Sequence, residues 1–364
     1  MAHTLEERAE LRRQCSRMLW GFHDTQPAET MEAIALWCRQ NETRNDNYGE
    51  GRIIAELETK VAALVGKPAA AFFPSGVMAQ LSALRIWTEE KRLPRFAMHT
   101  SSHLEQHEER AYQAVFGLQS AFLGEPHRIV LAKDIEALRE PVACALVELP
   151  MREIGGQLPT WEQLEEIKQA TRQRGIRLHM DGARLWESRA YYGRGYDAIS
   201  EGFDSVYVSL YKGLGAISGA VLAGDRDFVA TAKLWRRRLG GTLVCQTAVL
   251  VSALMQLELR LSMMDRLYQR ALALAEGLNT IPGIRTLPLV PQSNMMHIYF
   301  DAAPESVLDS RDDIAARAGL WLLSYVDPTV TGTGSSTELY VGDRLLDLTN
   351  DEVLPSIAEL VAPR

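Results

Sequence analysis

A lysine acts as a nucleophilic amine where a partly buried, glycine-flanked bend disfavours its charged form. Lys212, in Ser209-Leu210-Tyr211-Lys212-Gly213, follows the apolar run SVYVSL and fits that description, with an exposed structural lysine as the plain alternative. Asp181 ends another apolar run, IRLHMD, within His179-Met180-Asp181-Gly182-Ala183-Arg184. A carboxylate emerging from a buried strand needs a cation or strong donor, so Asp181 either pairs with Arg184 or holds a protonated ligand nitrogen. Pro74-Ser75-Gly76-Val77 joins AAAFFP to a helical pattern. A hydroxyl and free N–H groups at a helix N-terminus form an anion site, although serine there is more often only an N-cap.

The elements around these residues must bring them together. Apolar runs alternate with amphipathic segments from about residue 50 to 230, the pattern of an α/β domain with a mainly parallel sheet. GRIIAELETKVAALVG puts Ile53, Ile54, Leu57, Val61, Leu64 and Val65 on one helical face, and Gly66 and Pro68 stop it. Thr160 with Gln163 forms a capping box for a helix buried through Trp161, Leu164 and Ile167. FAMHT, VACALVEL, IRLHMD, SVYVSL and SGAVLAG read as strands. Asp181 and Lys212 are 31 residues apart with one amphipathic segment and one strand between them, so both reach the same sheet edge. There, open α/β sheets bind ligands. From about Val244 one long helical stretch begins, followed by the short strands NMMHIYF and TELYVG. The expected division is an N-terminal segment at 1–30, a large domain at 31–249 and a smaller C-terminal α/β domain at 250–364.

Composition narrows the function classes. The 364 residues suit about two domains, with 46% hydrophobic and 24% charged residues and no apolar run of membrane-spanning length. The start, MAHTLEERAELRRQC, is charged and helical in pattern, which leads us to expect a cytoplasmic protein. Cys15, Cys38, Cys144 and Cys245 lie far apart, supporting neither a disulfide framework nor a zinc site, and no other metal-ligand spacing appears. A net charge of -8 offers no basic field for nucleic acid, and Arg236, Arg237 and Arg238 read as a solvated helix face.

A phosphate site, an acid for a ring nitrogen and a Schiff-base lysine are the parts of a pyridoxal phosphate (PLP) site. Ser209-x-x-Lys212 also matches the serine signature of penicillin-recognising enzymes, but neither Ser-Asp-Asn nor Lys-Thr-Gly occurs. From His23-Asp24-Thr25 to Leu348 the chain resembles the threonine aldolase group of the β-eliminating lyase superfamily. That group belongs to fold type I of PLP enzymes, with a large domain on a mainly parallel seven-stranded sheet. The resemblance rests on Asn47-Tyr48-Gly49-Glu50, Phe73 to Met78, Ser102-His103, Gly155-Gly156, His179 to Arg184, Tyr211-Lys212-Gly213 and Leu239-Gly240-Gly241.

It implies that Lys212 holds PLP as a Schiff base and that Asp181 keeps the pyridine nitrogen protonated. It implies that His103 stacks on the ring and takes or relays a substrate proton, and that Ser75, Gly76 and the N–H of Val77 hold the phosphate, with Ser209 as a further donor. Arg184 would meet the cofactor's phenolic oxygen or the substrate carboxylate. The substrate side departs from the family pattern. Val77 stands where threonine is common, His23 where a carboxylate-binding serine is expected, and Tyr340 where a carboxylate-binding arginine is expected. Met151, with Arg152 beside it, takes the place of a histidine, and Gly241-Thr242 lacks a following arginine. The implied reaction is cleavage of a β-hydroxy-α-amino acid to glycine and an aldehyde. β-Elimination or another PLP reaction on a different amino acid is the alternative, and a degenerate, non-catalytic binder a third. The resemblance also implies a homodimer or homotetramer.

Overall fold

The apolar runs carry no polar alternation because both of their faces are covered: every residue of Cys144–Glu148, Ser205–Ser209 and Ala220–Gly224 is buried. In the computed structural model, which describes residues 4–330 and 332–362, the chain forms two compact units. The larger comprises Thr25–Glu153 and Leu158–Met263; the smaller comprises Met1–Asp24, Ile154–Gln157 and Met264–Arg364. The N-terminal segment expected at 1–30 thus divides after Asp24, and its residues 1–3 lie outside the described residues.

In the larger unit the strands are β1 (Ala69–Phe73), β2 (Arg95–His99), β3 (Gln119–Leu123), β4 (Cys144–Glu148), β5 (Arg177–Gly182), β6 (Ser205–Ser209) and β7 (Ala220–Gly224). They make one seven-stranded sheet in the order β1-β7-β6-β5-β4-β2-β3. All pairings are parallel except those of β7, which runs antiparallel to both of its neighbours. Because β7 reverses direction twice across the sheet, β1 and β6 point the same way. Phe73 and Ser209, their last residues, both lie opposite Ala220.

Helix α1 (Arg52–Leu64) buries Ile53, Ile54, Leu57 and Val61, and Gly66 follows it at φ +62°, a left-handed conformation that glycine adopts without strain. Helix α2 (Gly76–Lys91) starts at Ser75, whose Oγ accepts from the Met78 N–H at 3.3 Å. Helix α3 (Trp161–Gln173) carries the expected capping box: Thr160 Oγ accepts from Gln163 N at 3.2 Å and Gln163 Oε1 accepts from Thr160 N at 2.9 Å. Helix α4 (Arg226–Arg238) corrects one expectation, because Arg236 is buried rather than solvated. Its Nη1 donates to the Phe72 carbonyl at 2.7 Å, while Glu58 Oε1 accepts from the Phe72 N–H at 2.9 Å. A buried cation is tolerable when a carboxylate lies close, and here Glu58 lies 3.7 Å away. Together they clamp the main chain of β1 just before the Pro74-Ser75-Gly76 turn.

The long helical stretch expected from Val244 is two helices, α5 (Thr247–Leu261) and α6 (Met264–Leu278). Ser262 turns its hydroxyl back to the Leu259 carbonyl at 2.7 Å, competing with the backbone ladder where the break falls. In the smaller unit, β8 (Ile284–Leu287), β9 (Met295–Phe300), β10 (Asp327–Pro328) and β11 (Ser335–Tyr340) form an antiparallel sheet in the order β10-β11-β9-β8. Among the described residues no single helix is long and apolar enough to cross a membrane.

Candidate active site

Strand register assembles the larger unit's site. Asp181 on β5 lies opposite Tyr207 on β6 and opposite Glu148 on β4, so two carboxylates and a phenol share one level near the carboxyl ends of three buried strands. Beyond β6, Ser209 and Phe73 lie level across β7, placing the Lys212 bend and the Ser75-Gly76 turn at the same sheet edge. Gly76 packs so closely over this edge that a Cβ there would collide with the Tyr207 hydroxyl. The first turn of α2 is therefore held directly above the cross-strand partner of Asp181.

The bend is defined by its main chain. Lys212 N–H donates to Ser209 Oγ at 3.3 Å, Gly215 N–H to the Lys212 carbonyl at 3.2 Å, and Ala216 N–H to the Leu210 carbonyl at 2.9 Å. The Lys212 side chain has no hydrogen-bond or ion-pair partner among the described residues. Burial, and after it the positive charge of Arg184, push its ammonium below the usual lysine range, opposed by Asp181 and Glu148. This favours the neutral amine that a nucleophile requires.

Asp181 is 2% exposed. Its Oδ1 accepts the Ala183 N–H at 3.1 Å, and it makes no ion pair with Arg184 among the described residues. Burial raises its pKa, while the Lys212 charge and the Ala183 N–H favour its ionised form. Burial, together with the negative charge of Asp181, pushes Glu148 up to about 8, even though Glu148 accepts the Arg152 N–H at 3.0 Å. Burial thus raises both carboxyls, and the charge of Asp181 adds to the rise at Glu148.

A carboxyl raised from 4.5 to about 8 by folding stabilises the native state fully below its ordinary value and loses that stabilisation as pH rises through about 8. Thermal melts of the cofactor-free protein are expected to lose on the order of a few kcal/mol of stability between about pH 5 and pH 8. Glu148→Gln should flatten that slope. Parallel slopes in parent and variant would rule this assignment out.

His103 begins a short helix, His103–Gln106, and its Nδ1 lies 2.9 Å from Glu108 Oε1. Glu108 is nearly buried, and its Oε2 has no partner. Arg184 is half-buried, and its charge acts on Lys212, Glu148 and Tyr211. Val77 lies in the first turn of α2, where the N–H groups of Gly76 and Val77 have no intrahelical acceptor.

His23 and Tyr340 belong to the smaller unit. His23 is exposed and pairs through Nε2 with Asp347 Oδ2 at 2.8 Å. Tyr340, at the end of β11, is buried against Trp20 and Phe22, with ring centroids 6.5 and 5.8 Å away. Arg344 is committed to Asp24 at 2.8 Å. Sequence reasoning overlooked Glu148, Tyr207, His107 and Glu108. The available signals were a glutamate ending the apolar run VACALVEL and a glutamate five residues after His103.

These residues suit PLP. A tight turn at Gly76 leaves two unpaired N–H groups beside the Ser75 hydroxyl, a buried carboxylate retains acceptor capacity, and an amine whose charge burial disfavours has no hydrogen-bond partner among the described residues. Comparison with known proteins agrees. A solved structure from Listeria monocytogenes EGD-E, provisionally assigned as an L-allo-threonine aldolase, is 37% identical and superposes with a TM-score of 0.90 over 97% of each chain. One from Exiguobacterium sp. 255-15, provisionally assigned as an aromatic amino acid β-eliminating lyase/threonine aldolase, is 38% identical, with a TM-score of 0.90 over 96% of this chain and 98% of that one. The probable low-specificity L-threonine aldolase 2 of Arabidopsis thaliana is 27% identical over 291 residues, 77% of this chain and 81% of its own. The architecture is fold type I of the PLP-dependent enzymes. Residues 23–302 match the family model described as β-eliminating lyase, and this chain belongs to that family.

Proposed function

We propose that the protein is a PLP-dependent lyase that cleaves the Cα–Cβ bond of a β-hydroxy-α-amino acid, of the threonine or allo-threonine kind, to glycine and an aldehyde. The observation that carries this reading is the uncommitted amine of Lys212 at the same sheet edge as the buried carboxylate of Asp181 and the N-terminus of α2. PLP, when bound, supplies an electron sink for the pair released at Cα.

The protein's residues do the rest. Lys212 supplies the amine that holds the cofactor. Asp181, whose ionised form the Lys212 charge and the Ala183 N–H favour, keeps a proton on the pyridine nitrogen. The Ser75 and Ser209 hydroxyls, both already accepting backbone N–H bonds, keep their own protons to donate to phosphate alongside the N–H groups of Gly76 and Val77. His103, held through Nδ1 by Glu108, offers a ring face for stacking. Arg184 provides a cation for the substrate carboxylate or the cofactor's phenolic oxygen.

A second reading, β-elimination on a different amino acid, is favoured by the aromatic packing of Tyr340, which gives no bidentate carboxylate clamp where the family pattern expects an arginine. A homodimer or homotetramer working in the cytoplasm belongs to the same proposal, by family resemblance. The test is glycine and aldehyde release from threonine, allo-threonine and phenylserine by cofactor-loaded protein. Glycine from at least one of them is expected; keto acid and ammonia without glycine would replace aldol cleavage with elimination.

A further inference from the structure

Beside His103 stands a second imidazole with a carboxylate of its own. The rings of His103 and His107 lie 5.0 Å apart, tilted by 46°. His107 Nε2 is 2.8 Å from Glu153 Oε1, which also accepts from Arg152 Nη1 at 3.0 Å. Arg152 Nη1 lies 3.5 Å from the same His107 nitrogen, too long to compete with the carboxylate. The carboxylate therefore takes the Nε2 proton, and the lone pair falls on Nδ1, which has no partner among the described residues. Glu108 imposes the opposite choice on His103, whose Nδ1 carries the proton.

We infer that His107 is the group that accepts the proton of the substrate's β-hydroxyl, leaving His103 to stack; this rests on the aldol-cleavage reading above. Glu153 serves His107 as the buried aspartate serves the histidine of a serine-protease triad, fixing the tautomer and stabilising the imidazolium once formed. Arg152 shares that carboxylate. The other ionisable groups facing the imidazole are His103 and, behind it, Glu108. In the step itself, the Nδ1 lone pair takes the hydroxyl proton and the O–H electron pair becomes the second bond of the aldehyde carbonyl. The Cα–Cβ pair passes to Cα, which later takes one proton to give glycine, while His107 returns its own to solvent. No oxidant or reductant is needed.

The first arm uses cofactor-free protein labelled with 15N-histidine, with His103 and His107 assigned by substitution. Two-bond nitrogen–proton spectra at neutral pH are expected to show His107 as the Nε2–H tautomer and His103 as Nδ1–H; His107 as Nδ1–H would overturn the inference. In the second arm, His107→Asn should slow glycine release by about 100-fold or more and remove one ionisation from the acid limb of kcat/KM. The same variant should exchange the α-proton of glycine within about threefold of the parent rate, since that reaction has no β-hydroxyl. Glu153→Gln, which relaxes the tautomer, should cost about tenfold. An unchanged cleavage rate and pH profile in His107→Asn would remove His107 from the reaction. Failure of the parent on all three amino acids would instead sink the aldol reading.

Discussion

Lys212→Ala is expected to lose the visible absorbance of the cofactor-loaded protein and to lower glycine release by at least about 10³-fold. Lys212 is the lysine in the bend after β6, and burial and Arg184 disfavour its charge while Asp181 lies close; Lys67 and Lys168, also lowered by burial, are held by the Ser200 and Phe203 carbonyls and by Glu165. Lys212→Arg should not restore the band, because a guanidinium stays protonated and cannot attack a carbonyl. Absorbance spectra of the dialysed variants, followed by the glycine assay, check both. A band of unchanged position and intensity in the alanine variant would show that the cofactor is held elsewhere.

Asp181→Asn is expected to keep part of its cofactor and to lose turnover by about 10²- to 10³-fold. An amide can donate a hydrogen bond to the unprotonated pyridine nitrogen but supplies no negative charge to hold a proton there, and an unprotonated ring is a poor electron sink. The variant carries a second signature. Removing the negative charge of Asp181 takes away one of the causes that raise Glu148, so its titration should move down from about 8, leaving burial as the remaining cause. A kcat measured at saturating substrate together with the pH dependence of thermal stability reads both effects. A variant with parental kcat would detach Asp181 from the ring nitrogen.

The placement of the Pro74-Ser75-Gly76 turn, Asp181 and Lys212 at one sheet edge was legible because each ends a continuous apolar run, a signal carried by consecutive residues. Helix caps such as Thr160 with Gln163 were legible for the same local reason. Glu148 was not, because its partner Asp181 is distant in sequence and becomes its neighbour only through the parallel pairing of β4 with β5. His107 and Glu153 are 46 residues apart with β3 and β4 between them, and the tautomers they fix depend on side-chain geometry. Arg236 was misread as solvated because a run of three arginines resembles an exposed face. Its burial depends on Glu58, contributed by α1 nearly two hundred residues earlier in the chain.

The reversed strand β7 has a mechanical consequence. Phe73 and Ser209 take their level from the same residue, Ala220, one from each side. A disturbance of β7 along its own axis would therefore carry the Ser75-Gly76 turn and the Lys212 bend the same way, preserving the spacing between them as a common-mode displacement. Asp181 has no such tie to β7. Its alignment depends on the β5–β6 pairing, so the span from Asp181 to Lys212 is the differential dimension of the site, the one that slippage between parallel strands would spoil first.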